Sequence, residues 1–141
     1  MAWSLFLLFI CPFDLMELKT PDLWVVQVLR AAGGWVSTDK IMAVLLAVKL
    51  AYPMPGVSFA PRGEAFWSPE VEEALRRLTT WGFVEESKGL CRLTGKGNKL
   101  AEKALPRSSW TLPYADVVFY LLWDVKQLTE YIHRNCRGCL D

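Results

Sequence analysis

The amino-acid sequence predicts a mainly α-helical fold with one small β-hairpin and a C-terminal helical extension. Two segments, 20–34 and 68–82, carry helix start and stop signals at both ends. The stretch "FVEESKGLCRLT" that follows the second has strand character broken by a turn at Ser87-Lys88-Gly89. Beyond Pro106 the chain resumes with "YADVVFYLLWDVKQLTEYIHRN", which is helical in spacing and strongly apolar.

The first helix is "TPDLWVVQVLRAAGG": Thr20 caps it, Pro21 takes the first turn and Gly33-Gly34 stop it. Leu23, Val26 and Leu29 form its apolar surface, with Trp24 and Arg30 to one side. Trp35-Val36 is a short extended piece, after which Ser37 and Thr38 cap a second helix, "DKIMAVLLAVKLAY". That helix is apolar almost all round between Lys40 and Lys49, so it belongs at the centre of the core, and Pro53 and Pro55 end it. Residues 53–67 hold three prolines and two glycines and read as a long loop with one extended stretch at Val57–Phe59. Long loops within compact domains are often functional.

The third helix, "SPEVEEALRRLTTWGF", has Ser68 at its cap, Pro69 in the first position and glutamates in the first turn. Its apolar stripe runs through Val71, Ala74, Leu75, Leu78 and Trp81. After the hairpin, "GKGNKLAEKAL" opens a fourth helix that Pro106 ends. In the tail, Asp124 with Gln127 three residues on forms a capping box, which implies one long helix or two shorter ones broken near Trp123.

With 141 residues, 52% of them hydrophobic, and seven tryptophans, the chain is long enough to bury one ordinary core. The reading is an apolar N-terminal extension at 1–15, a domain at 16–106 and a helical extension at 107–141. The opening "MAWSLFLLFICPF" lacks a basic region and a cleavage site, and it is shorter than the roughly 20 apolar residues a spanning helix needs. It is expected to be a docking strand or helix, or residues upstream of a true start at Met16, with no membrane partner. Net charge is +1, so attraction to nucleic acid must come from local clustering.

Four cysteines are scattered and His133 is the single histidine, which suggests a reducing, cytoplasmic protein. "HRNCRGC" places His133, Cys136 and Cys139 within reach of one metal ion, but a structural zinc site needs a fourth ligand and a firmer anchor than a chain end. The expectation is an incidental reduced pair. "TGKGNK" departs from the phosphate-loop spacing, and Gly97 stands where a hydroxyl would hold magnesium. No triad or carboxylate pair marks an enzyme, and no cofactor is expected.

The order helix, short strand, helix, helix, hairpin, helix over 20–105 resembles the winged-helix fold. "LRRLTTWGFVEESKGLCRLTGKG" is similar to the recognition-helix and wing region of small prokaryotic winged-helix transcription regulators, where leucines pack the helix and a glycine at the place of Gly82 turns the chain. The long 53–67 loop and "EAFWSPEV" look more like uncharacterised archaeal winged-helix proteins and the Panacea antitoxin domain. The resemblance implies a winged helix-turn-helix that binds double-stranded DNA as a homodimer and regulates transcription. Candidate contacts are Arg76, Arg77 and Thr80 on the third helix and Lys88, Arg92, Lys96 and Lys99 on and after the wing. The rival expectation is a protein-interaction module, antitoxin-like or an assembly partner. Glu70, Glu72 and Glu73 favour it, because they would repel phosphates at the start of the reading helix.

Overall fold

Thr20 to Ala104 alternates α-helices with short strands, and two further helices return across the result. The computed structural model describes residues 18–109, 111–138 and 140. The apolar extension at 1–15 lies outside the described residues. The helices are α1 (Thr20–Ala32), α2 (Thr38–Lys49), α3 (Pro69–Thr80), α4 (Gly95–Ala104), α5 (Tyr114–Leu121) and α6 (Val125–Asn135), with a 3-10 turn at Leu105–Arg107. The strands are β1 (Val36–Ser37), β2 (Ala60–Arg62), β3 (Ala65–Trp67), β4 (Val84–Ser87) and β5 (Leu90–Leu93). The described chain is therefore mainly helical with small antiparallel sheets, as the sequence predicts. None of the described helices is long and apolar enough to cross a membrane.

Caps form close to where the sequence puts them. Lys19, not Thr20, is the N-cap of α1, because Asp22 reaches back to accept the Lys19 N–H at 2.9 Å. Gly33 closes that helix in the left-handed region at φ +70°. Ser37 caps α2 by accepting from the Lys40 N–H, and Ser68 caps α3 by accepting from the Val71 N–H. Trp24, expected to one side of α1, is instead 1% exposed at the centre of the core.

Ile41 to Val48 of α2 are all buried. α1, α5, α6 and β3 pack around this helix. The tail thus folds back onto the domain, and Leu112, Val117, Leu128 and Ile132 join the same core as Trp24, Leu45 and Phe83. Of the two tail arrangements the sequence allows, the broken one is found: α5 ends at Leu121 and Asp124 starts α6 with the expected reciprocal bonds to Gln127. The segment leading into α5 is pinned by Gln27, whose amide donates to the Leu112 carbonyl at 2.6 Å and accepts the Leu112 N–H at 2.7 Å.

The 53–67 segment differs from the expected loop. Gly63 at φ +63° turns a second hairpin, in which Ala60 pairs with Trp67 and Arg62 with Ala65. Met54, Val57, Phe59 and Phe66 are buried beneath it. Lys49 Nζ donates to the Val57 carbonyl at 2.8 Å, and Ser58 donates through its N–H and its hydroxyl to Glu70.

The main sheet runs β1-β5-β4, all antiparallel, with Val36 opposite Cys91 and Val84 opposite Leu93. The turn between β4 and β5 has Lys88 at φ +53° and Gly89 at φ +79°, the signs a two-residue type I′ turn requires. Gly82, at φ +83°, turns the chain from α3 into the hairpin. Gly97 has a different role: a Cβ there would lie 2.0 Å from the Phe83 carbonyl oxygen, so α4 sits directly against the hairpin backbone. Gly95 has nothing within 4 Å of such a Cβ. Gly97→Ala is expected to destabilise the protein by about 3 kcal/mol, the upper end of overpacking costs, while Gly95→Ala stays within ~1 kcal/mol of the parent. Equal denaturation midpoints for the two variants would overturn this close approach.

Candidate functional site

Burial of Val71, Ala74, Leu75 and Leu78 fixes which residues α3 turns outward: Glu72, Glu73, Arg76, Thr79 and Thr80. This outward face forms one wall of a groove of about 820 Å³. The other walls come from Thr38, Asp39 and Met42 of α2, Arg62, Phe66 and Trp67 of the second hairpin, and Glu86 of β4. Four carboxylates, Asp39, Glu72, Glu73 and Glu86, line it against two guanidinium groups, Arg62 and Arg76. Both guanidiniums are engaged within the groove: Arg76 pairs with Glu73, and Arg62 lies over the Trp67 ring at 4.6 Å. The Trp67 indole N–H donates to Glu72.

Glu70 stands beside the groove and is held by the 53–67 segment. Partial burial raises its carboxyl, but the Ser58 N–H and hydroxyl bonds outweigh this and hold it below the ordinary glutamate value. It therefore stays ionised and ties α3 to the segment just before the second hairpin.

The candidate basic residues fall into three environments. Arg77 is half-buried and engaged: its Nη2 donates to Asp22 Oδ1 at 2.5 Å and its Nε to Asp22 Oδ2 at 3.3 Å. The Asp22 side chain is fully buried and that of Arg77 is 20% exposed. The pair clamps α3 onto α1. Arg76 and Thr80 are exposed on the groove wall. Lys88, Arg92, Lys96 and Lys99 lie on the β4–β5 hairpin and α4, outside the groove lining. Arg92 is ion-paired with Glu85, its cross-strand neighbour, and sits 4.4 Å over the Trp35 ring. Lys96 donates to the Trp81 carbonyl at 2.9 Å and covers the Phe83 ring. Lys88 and Lys99 are exposed.

His133 is exposed on α6, with its ring 5.1 Å from that of Phe66. Cys136 follows at the C-cap of α6 and is disulfide-bonded, so the reduced pair expected there is not found. Cys91 is free, and Cys139 lies outside the described residues. A disulfide sulfur has no thiolate to offer a metal. Among the described residues no group of three or more His, Cys, Asp and Glu is placed to hold a metal ion. Burial, with the Glu86 charge adding to it, pushes the Cys91 thiol up to about 11, so it is a packing residue of the sheet and not a nucleophile.

No family model matches the chain, and no curated protein or solved structure matches it.

Sequence reasoning found the α3 acids but missed Arg62 and Trp67, because it had no hairpin at 60–67 to bring them to α3, and missed Asp39 and Glu86, whose approach to α3 is a long-range contact between elements. The signal available was Gly63 between two short apolar pieces. Arg77→Ala is expected to cost about 3 kcal/mol, the low end for breaking a buried pair, because it strands the Asp22 charge. Arg76→Ala should stay within ~0.5 kcal/mol of the parent. Urea unfolding of both variants checks this; an unchanged midpoint for the Arg77 variant would release that side chain for a binding role.

Proposed function

We propose that residues 20–105 are a winged-helix module that works by docking onto another protein through the outward face of α3. The observation that carries this reading is the lining of the groove between α3 and the wing, where four carboxylates meet two engaged guanidiniums. In a winged helix that reads DNA, this face enters the major groove between two rows of phosphates. Like charges brought together at an interface cost several kcal/mol. Affinity for DNA comes mainly from cations placed on phosphates, and Arg77, buried against Asp22, is not available for that. A partner surface of opposite charge meets no such penalty.

A second reading, DNA binding and transcription regulation, is favoured by the wing. Lys88 is the one non-glycine residue with positive φ among the described residues, a conformation disfavoured for lysine, and it sits at the wing tip. Lys96, Lys99 and Lys103 follow on α4 with Glu102 as the acid among them. Such an edge suits phosphates without base contacts.

Fluorescence anisotropy with a labelled duplex separates the readings. The docking module is expected to show only weak binding, lost between about 50 and 200 mM salt, with the amides of Glu72, Arg76 and Thr80 unshifted in NMR spectra. Saturable binding at ~200 mM salt that Lys88→Glu and Lys99→Glu abolish would establish the DNA reading instead.

Homodimerisation belongs to either reading as a proposal and now has a narrow base. Most apolar tail residues are absorbed into the core, and Tyr114, Phe119 and Leu122 are left exposed at 67%, 52% and 80%. If these three hold two copies together, light scattering on the full chain will report a dimer that Phe119→Ser with Leu122→Ser converts to a monomer. A parent chain that is already monomeric rules the dimer out.

A further inference from the structure

We infer that the α3 groove receives an extended, arginine- or lysine-bearing segment of the partner protein. This deepens the docking reading and rests on it. Charge chooses the occupant. Asp39 and Glu86 have no hydrogen bond or ion pair with any described residue, while Glu72 and Glu73 each already have one cationic or N–H partner from within the groove. The groove therefore presents unsatisfied negative charge on two elements, the first turn of α2 and the end region of β4.

Three other occupants fit less well. A single metal ion is disfavoured because no group of three or more potential ligands is gathered among the described residues. An amphipathic helix laying an apolar face into the groove is disfavoured because it would cover Asp39 and Glu86 and give their charges no partner. Nucleic acid is disfavoured by sign. What remains is a ligand with several positive groups spread over the length of a groove whose volume, about 820 Å³, lies within the ~300–1,000 Å³ of ligand clefts. The fold holds its own example of the recognition: Arg62 stacks 4.6 Å above Trp67 beside Glu72. A guanidinium is planar, weakly hydrated and suited both to carboxylate pairing and to aromatic stacking, so arginine is the better of the two side chains for this lining.

The test uses a hexa-arginine peptide with the full chain at about 50 mM salt, where exposed charges are least screened. Calorimetry is expected to show saturable binding, and NMR shifts to centre on Asp39, Glu72, Glu73, Glu86 and the Trp67 indole. Glu73→Gln with Glu86→Gln, both exposed positions that leave the fold intact, should weaken binding about fivefold or more. Glu102→Gln on α4 should leave it unchanged. Absence of binding, shifts centred elsewhere, or equal affinity for the doubly substituted chain would overturn the inference. The duplex experiment keeps the two conclusions apart: loss of hexa-arginine binding with α3 amides still silent toward DNA removes only the basic segment, whereas α3 amides that shift with duplex remove the docking reading itself.

Discussion

A helix that is apolar on every side has no face to give to water, and α2 is such a helix. Eight successive residues from Ile41 to Val48 are buried. Each fully buried branched or large aliphatic side chain among them contributes about 1.5–3 kcal/mol relative to exposure, so leaving one side of α2 open would forfeit several such contributions at once. Cover comes from α1, from the returning pair α5 and α6, and from β3. The tail is thus part of the core and not an appendage laid on it. The position of β3 follows from the same need. Phe66 must point at α2, and by strand alternation its neighbours Ala65 and Trp67 turn the other way. The strand that covers the core with Phe66 therefore also lends Trp67 to the groove wall.

Apolar cover alone does not fix orientation; a few buried polar groups do. Asp22, Gln27 and Ser68 are the buried polar residues of the described chain, and each is fully engaged: Asp22 with Arg77, Gln27 with both backbone groups of Leu112, Ser68 with the Val71 N–H. No buried side-chain nitrogen or oxygen among the described residues lacks a partner. Leaving any one of them unpaired would cost about 1–3 kcal/mol, more for the Asp22 charge, so they reject registers that hydrophobic packing would tolerate. The clamp on Arg77 also has a functional consequence. It takes out of circulation one of the two adjacent arginines that a DNA reader would present, and leaves Arg76 among acids.

Signals carried within a few residues were legible in the sequence. Ser37, Ser68, Gly33, Gly82 and the Asp124–Gln127 box all act on backbone groups no more than four positions away, and each is found doing so or within one residue of it. What failed was long-range or masked by composition. The Asp22–Arg77 pair spans 55 residues and cannot be paired from sequence patterns. Gly97 reads locally as a poor helix former, and only the contact with Phe83 explains it. The β2–β3 hairpin has three-residue strands and a proline in one of them, which a two-stranded edge can hold but which no alternation pattern reveals. The Arg62, Phe66 and Trp67 part of the groove was invisible for that reason.

The near-neutral total charge hides a division that the topology creates. Glu85 and Glu86 are adjacent on β4 and so project to opposite faces. Glu85 is cancelled by Arg92 on the side that leads toward α4 and its lysines, while Glu86 joins Asp39, Glu72 and Glu73 in the groove. One strand thus separates a basic edge from an acidic cleft. Screening at physiological salt confines each field to about 8 Å, so the summed charge of the chain describes neither surface. The two surfaces also differ in kind. The lysine edge is exposed, whereas the cleft is a concave groove lined in part by Trp67, on a helix that the Asp22–Arg77 pair ties to α1. On binding, a preorganised concave surface loses less conformational freedom than long lysine side chains do, which is the physical ground on which the docking proposal prefers the cleft to the lysine edge.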